Sequence, residues 1–173
     1  SGADVVAIDL SEALVAQARA RIPDAQVLIR PGDAEATGEA DASFDAVVGM
    51  SILHHLNVGP ALVEAHRVLR AGGALVFSEP NMLNPQVAVE KNFKFIGRRL
   101  GNSPDETAFF RLRLARALCE AGFADVAITP FDFLHPRTPP AWSPAVRRLE
   151  AMLERTPGLR EVAGSLWIRA RKR

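Results

Sequence analysis

The chain has 173 residues, enough for one domain with a sizeable core. Hydrophobic residues make up 48% and charged residues 24%, which excludes global disorder, and no apolar run approaches the ~20 residues that a membrane-spanning helix needs. A net charge of +1 hides an asymmetry: residues 1–90 carry 5 basic and 12 acidic side chains, whereas residues 91–173 carry 16 and 8.

Asp4 to Asp9 (DVVAID) is a short apolar run ending in an acid, the pattern of a buried parallel strand. Ser11 follows as an N-cap and Glu12 as a first-turn acid, and the helix they open runs to Arg21 before Pro23 stops it. Gln26 to Arg30 and Asp45 to Met50 read as the second and third strands. Pro60 to Arg70 reads as a helix with Leu62, Ala65, Val68 and Leu69 on one face, ended by Gly72 and Gly73. Gly73 to Glu79 is a fourth strand. Residues 84–100 predict one irregular helix, Thr107 to Ala121 a clear one stopped at Gly122, and Val126 to Thr129 a fifth strand. A proline-rich, apolar stretch over 130–144 reads as an ordered loop. Val146 to Leu153 predicts an amphipathic helix, and Ser165 to Ala170 a closing strand. Strands alternating with helices through short connections predict a parallel sheet covered by helices on both faces.

Four segments, in order, carry a family resemblance: VVAIDLSEALVAQAR (Val5 to Arg19), GDAEA (Gly32 to Ala36), SFDAVVGMSILHHL (Ser43 to Leu56) and EAHRVLRAGGALVFSEPN (Glu64 to Asn81). With these the chain resembles a class I S-adenosylmethionine-dependent methyltransferase of the small-molecule type. The resemblance implies an α/β, Rossmann-like, mostly parallel sheet with an antiparallel C-terminal strand. It covers most of residues 1–130 and, more loosely, the last strand. The family's opening strand, glycine-rich loop and first helix have no counterpart in these residues; the chain opens on Ser1 without a basic, hydrophobic signal segment in the residues given, and the expectation is a true N-terminus upstream. The expectation is a single domain over 1–173 truncated at its N-terminus. In the family's sheet the missing strand would separate DVVAID from DAVVGM. Those two strands must therefore close on each other or leave open edges, and the chain alone is expected to fold poorly.

By the resemblance, Asp9 would bind the ribose hydroxyls of S-adenosylmethionine and Leu10 would lie against its adenine. An acid at a strand's carboxyl end suits a ribose diol, and equally suits an NAD site. Asp33 would accept from the adenine amino group, with the Ala34 N–H facing the ring; Pro31-Gly32-Asp33 is also ordinary turn chemistry. Gly49 and Met50 would touch the methionine end of the cofactor, or simply pack. His55 is the candidate general base on an acceptor hydroxyl, and His54 is more readily a half-buried structural histidine. Glu79 and Asn81 are placed at the substrate pocket, and Arg98 and Arg99 as takers of a phosphate or carboxylate. Glu35 reads as solvated, and Glu64 with Arg67 as a surface ion pair.

The single cysteine, Cys119, excludes an internal disulfide and a Cys-rich zinc site, and a reduced cytoplasmic setting fits it. It reads as a buried small hydrophobe. No metal constellation and no nucleic-acid motif is evident. The implied partner is a small-molecule acceptor, apolar or lipid-like, bounded by segments 84–110 and 130–162. The alternatives are a non-catalytic binding module of the same fold, or an NAD-dependent oxidoreductase.

Overall fold

The computed structural model describes residues 2–22, 26–92, 108–133, 150 and 152–173. The elements are β1 (Val5–Asp9), α1 (Glu12–Arg21), β2 (Val27–Pro31), β3 (Phe44–Met50), α2 (Val58–Val68), β4 (Leu69–Pro80), α3 (Pro85–Asn92), α4 (Arg111–Glu120), β5 (Phe123–Phe131) and β6 (Ser165–Lys172). Short 3-10 turns lie at Leu53–His55 and Arg160–Val162. Residues 146–149 and 151 of the helix expected over Val146 to Leu153, residues 93–100 of the irregular helix and most of the proline-rich stretch lie outside the described residues, whereas Glu150, Met152 and Leu153 are helical.

The local signals explain most element ends. Ser11 caps α1 by accepting from the Leu14 N–H at 3.3 Å, and Asp9 Oδ1 accepts from the Ser11 N–H at 2.7 Å. Only Val15 of α1 is buried, and Arg19 Nε donates to the Ile29 carbonyl at 2.7 Å to tie the helix to β2. The helix expected over Pro60 to Arg70 differs at its end: α2 stops at Val68 and the chain turns at once into β4. The glycines instead form an irregularity inside that strand. Register jumps from Phe44 opposite Leu69 to Ala46 opposite Ala74, and Gly72 takes φ +77, a left-handed conformation that suits a residue without Cβ.

Among the described residues the strands form two sheets. There β1 pairs only with β2, in parallel; the other four strands are ordered β3-β4-β6-β5. β3 and β4 are parallel, whereas β6 is antiparallel to both β4 and β5, as the resemblance implies for the last strand. The apolar strands β1 and β3 do not close on each other: each keeps an edge without a strand partner among the described residues. The side chains of Val48 and Met50 are 69% and 76% exposed. The core sits elsewhere, where α2 and α4 pack on β4 and β6. Leu62, Leu69, Leu75, Leu118, Leu166 and Ile168 are each no more than 1% exposed there. Burial of one such side chain stabilises the fold by about 1.5–3 kcal/mol. Cys119 is exposed, because it falls on the side of α4 away from the buried Leu114 and Leu118.

Polar bonds join the two parts of the structure. Glu64 is buried on α2 rather than forming a surface pair. It takes two hydrogen bonds from Arg67, at 2.8 and 2.7 Å, and two more from the Thr37 N–H and hydroxyl at 2.8 and 2.6 Å. Arg67 also pairs with Asp41. The connection between β2 and β3 is thereby fastened to α2. The Arg67 hydrogen bond, opposed by burial and helped by Thr37, lowers the Glu64 carboxyl to about 2.

Two outcomes follow from this arrangement. In hydrogen-exchange mass spectrometry, β1 and β2 should exchange on the order of 10²-fold faster than β4 and β6, because a two-stranded sheet is marginal alone. Equal protection of all six strands would show that β1 and β2 are held by contacts not seen here. Because the Glu64 carboxyl is lowered on folding, its contribution is present above the ordinary value of 4.5 and is lost as pH falls through about 2. Glu64→Gln should therefore lower Tm by a few degrees at pH 7, and the gap to the unaltered chain should narrow steadily between pH 4.5 and pH 2. A pH-independent gap in thermal melts would refute the linkage.

Candidate functional site

The carboxyl ends of β1, β2, β3 and β4 supply the site, as expected for an open α/β sheet. At the end of β1 the half-buried Asp9 has Oδ1 held by the Ser11 N–H. Its Oδ2 has no protein partner among the described residues. Leu10 beside it is 70% exposed. Beyond β2, Asp33 Oδ1 accepts from the Glu35 N–H at 2.8 Å and its other oxygen is likewise free of protein partners. Asp33 is exposed and Ala34 is half-buried within the tight turn that pairs Asp33 with Ala36. Two carboxylates, each oriented by an amide of its own loop and each with an acceptor oxygen left over, therefore stand on adjacent strand ends. That donor set, with the exposed Leu10 and Met50, suits a nucleoside: acceptors for hydroxyl and amino groups beside apolar surface for a ring.

Gly49 has a packing reason for its identity. A Cβ there would run into the Phe77 ring and Ile52. Met50 ends β3 opposite Ser78 and is open to solvent.

Past Met50 the chain bends through Ser51 at φ 50, left-handed for a residue with a side chain, and the Ser51 N–H donates to the Ser78 carbonyl at 2.8 Å. Glu79 follows Ser78 on β4 and turns back to this bend. Its Oε1 accepts from the Ile52 and Leu53 N–H groups at 3.0 and 2.8 Å, and its Oε2 lies 2.8 Å from His54 Nδ1. Glu79 is 1% exposed and His54 8%. Burial and three protein partners thus occupy Glu79. Asn81 is held in a similar way. It is fully buried, with Nδ2 donating to the Glu161 and Ala163 carbonyls and Oδ1 accepting from the Leu83 N–H. His55, by contrast, is exposed, and its ring lies 4.1 Å from that of His54 at 38°. Arg98 and Arg99 lie outside the described residues.

Sequence reasoning missed several members. Glu35 is not merely solvated: it accepts from the Asn57 N–H at 2.8 Å and from Asn57 Nδ2, and these bonds hold its carboxyl below the usual range. That bridge joins the Asp33 turn to the start of α2. Asn84 caps α3 by accepting from the Gln86 and Val87 N–H groups, and its Nδ2 donates to the Val162 carbonyl. The Asn-x-x-Asn spacing before Pro85 was the available signal for that cap. Nothing local signalled the Glu79–His54 pair, which is 25 residues apart in sequence. Among the described residues no group of three or more His, Cys, Asp or Glu side chains could hold a metal ion.

Comparison with known proteins places this geometry. Residues 1–77 match the methyltransferase domain family. A "probable S-adenosylmethionine-dependent methyltransferase" of Mycolicibacterium smegmatis is 40% identical over 80 residues, covering 46% of this chain and 30% of that protein. A demethylmenaquinone methyltransferase of Beutenbergia cavernae is 44% identical over 81 residues, covering 45% of this chain and 32% of the relative. The chain thus spans about a third of the length of these curated relatives. The crystal structure of a SAM-dependent methyltransferase from Thermotoga maritima superposes with a TM-score of 0.70 at 21% identity, covering 97% of this chain and 72% of that one. The sequence match over residues 1–77 and the shared fold agree with the four motifs: this stretch of the chain is similar to the methyltransferase domain family, and the chain has the fold of a solved SAM-dependent methyltransferase.

Proposed function

We propose that this chain contributes the cofactor-binding part of an enzyme that methylates a small apolar acceptor. The observation that carries the reading is the pair Asp9 and Asp33, two oriented carboxylates with spare acceptor oxygens on adjacent strand ends. When bound, S-adenosylmethionine supplies a methyl group already activated on a sulfonium. Asp9 Oδ2 accepts from the ribose hydroxyls and Leu10 covers one face of the adenine. Asp33 accepts from the adenine amino group and Ala34 offers its N–H to the ring. Gly49 and Met50 lie toward the methionine end. His55, exposed beside the turn after β3, takes a proton from the acceptor. The remaining task of the protein is to align the acceptor and exclude water.

Several observations support an apolar acceptor. Leu83, Val89, Phe110 and Leu112, in the 81–92 and 108–112 stretches, are exposed large hydrophobic residues. The Met82 N–H donates to the Phe109 carbonyl, so the two stretches lie together. Segments 84–110 and 130–162 are the proposed acceptor walls, with Arg98 and Arg99 in the first available to a charged substituent. A quinone-like ring is the first acceptor to test, because one relative is a demethylmenaquinone methyltransferase. No helix among the described residues is long and apolar enough to cross a membrane. The proposed setting is the cytoplasm, which a lone, exposed cysteine suits.

A second reading is a non-catalytic binding module of the same fold. The edges of β1 and β3 that have no strand partner among the described residues favour it, because they divide the sheet at the end where the cofactor would sit.

Calorimetry with S-adenosylhomocysteine tests the first reading. Asp9→Ala should weaken binding by at least about 10-fold and Asp33→Ala by a similar factor, whereas Asp45→Ala on the exposed flank of β3 should change nothing. Unaltered affinity in both site variants would remove Asp9 and Asp33 from the site. Binding without methylation of any quinone, phenol or amine acceptor would favour the binding module, and tighter binding of NAD would favour an oxidoreductase.

A further inference from the structure

The buried carboxylate of Glu79 is unusual in what it gathers. Two backbone N–H groups share Oε1 and one imidazole nitrogen faces Oε2, and among the described residues no Lys or Arg neutralises it. All three partners belong to one short stretch, the bend after β3 that starts at the left-handed Ser51 and ends at the 3-10 turn Leu53–His55. A bend with that backbone conformation persists only where its surroundings over-determine it. Glu79 supplies that restraint from the neighbouring strand, assisted by the Ser51 to Ser78 hydrogen bond.

The chemistry of the imidazole follows. A histidine whose Nδ1 lies 2.8 Å from a carboxylate oxygen carries its hydrogen there, which leaves Nε2 with a lone pair. His54 Nε2 has no protein partner among the described residues, and the exposed His55 ring packs against the same imidazole. We infer that Glu79 is a positioning residue for the proposed methyl transfer: it holds His54 in the Nδ1–H tautomer, with Nε2 as a hydrogen-bond acceptor, and fixes the bend that carries His55, the proposed base. The inference rests on the functional reading above for its consequence, but the tautomer is a property of the chain without ligands.

The test is histidine ring 15N NMR of the full chain at pH 7.5 without cofactor, with His54 assigned by its loss in His54→Gln. The unaltered chain should show His54 protonated at Nδ1. In Glu79→Gln the carboxamide oxygen can still accept from Ile52 and Leu53, while its NH2 group now faces Nδ1, so His54 should switch to the Nε2–H tautomer. An Nε2–H tautomer in the unaltered chain, or no switch in Glu79→Gln, overturns the inference. If Glu79→Gln does not fold, the tautomer of the unaltered chain decides alone. Once an acceptor is found, Glu79→Gln should lower kcat by about 10²-fold with KM for S-adenosylmethionine nearly unchanged. Full turnover overturns the positioning role. Loss of S-adenosylhomocysteine binding in the unaltered chain would count against the functional reading and leave the tautomer result standing.

Discussion

Strand β4 joins the core to the candidate site through one carboxylate at its end. Leu75 and Phe77 on this strand point into the core with the helices α2 and α4, and two residues later Glu79 reaches across to hold the bend after β3. The position of Glu79 is set by backbone pairing: it stands opposite Leu166 of antiparallel β6 and follows Ser78, which pairs with Met50 of parallel β3. A buried carboxylate must find donors or carry a heavy desolvation cost. It finds them in the Ile52 and Leu53 amides and the His54 ring, so the need to satisfy one group shapes the whole turn. Asn81 repeats the solution one step further on, pinning the 81–84 turn to the carbonyls of Glu161 and Ala163.

The other half of the site is held more loosely. β1, α1 and β2 bury little, and among the described residues no strand pairing joins them to β3. Their attachment runs through polar bonds: Glu64 to Thr37, Arg30 to Glu39 and Glu35 to Asn57. Such bonds give direction but less stabilisation than a packed core. The candidate cofactor residues Asp9 and Asp33 therefore sit on the less constrained part, and the histidines on the more constrained part. A ligand that contacts both would add the connection that the backbone lacks.

The sequence by itself determined the order of elements and, to within one residue, the carboxyl ends of β1 to β4. Alternating apolar runs and caps are local signals, so Ser11 at the start of α1, the acid ending β1 and the face of Leu62, Ala65 and Val68 were all legible. The positions of Asp9 and Asp33 at strand ends followed from the same runs. Tertiary structure alone decided which polar side chains turn inward. Glu79 and Asn81 read as pocket residues because they end a strand, and Glu64 read as a surface partner of Arg67 because the two are three residues apart. Each is buried because its partners come from distant stretches: residues 52–54 for Glu79, residues 161–163 for Asn81 and Thr37 for Glu64. Hydrogen bonds between residues so far apart leave no periodic trace in a sequence, whereas apolar burial along a helix or strand does.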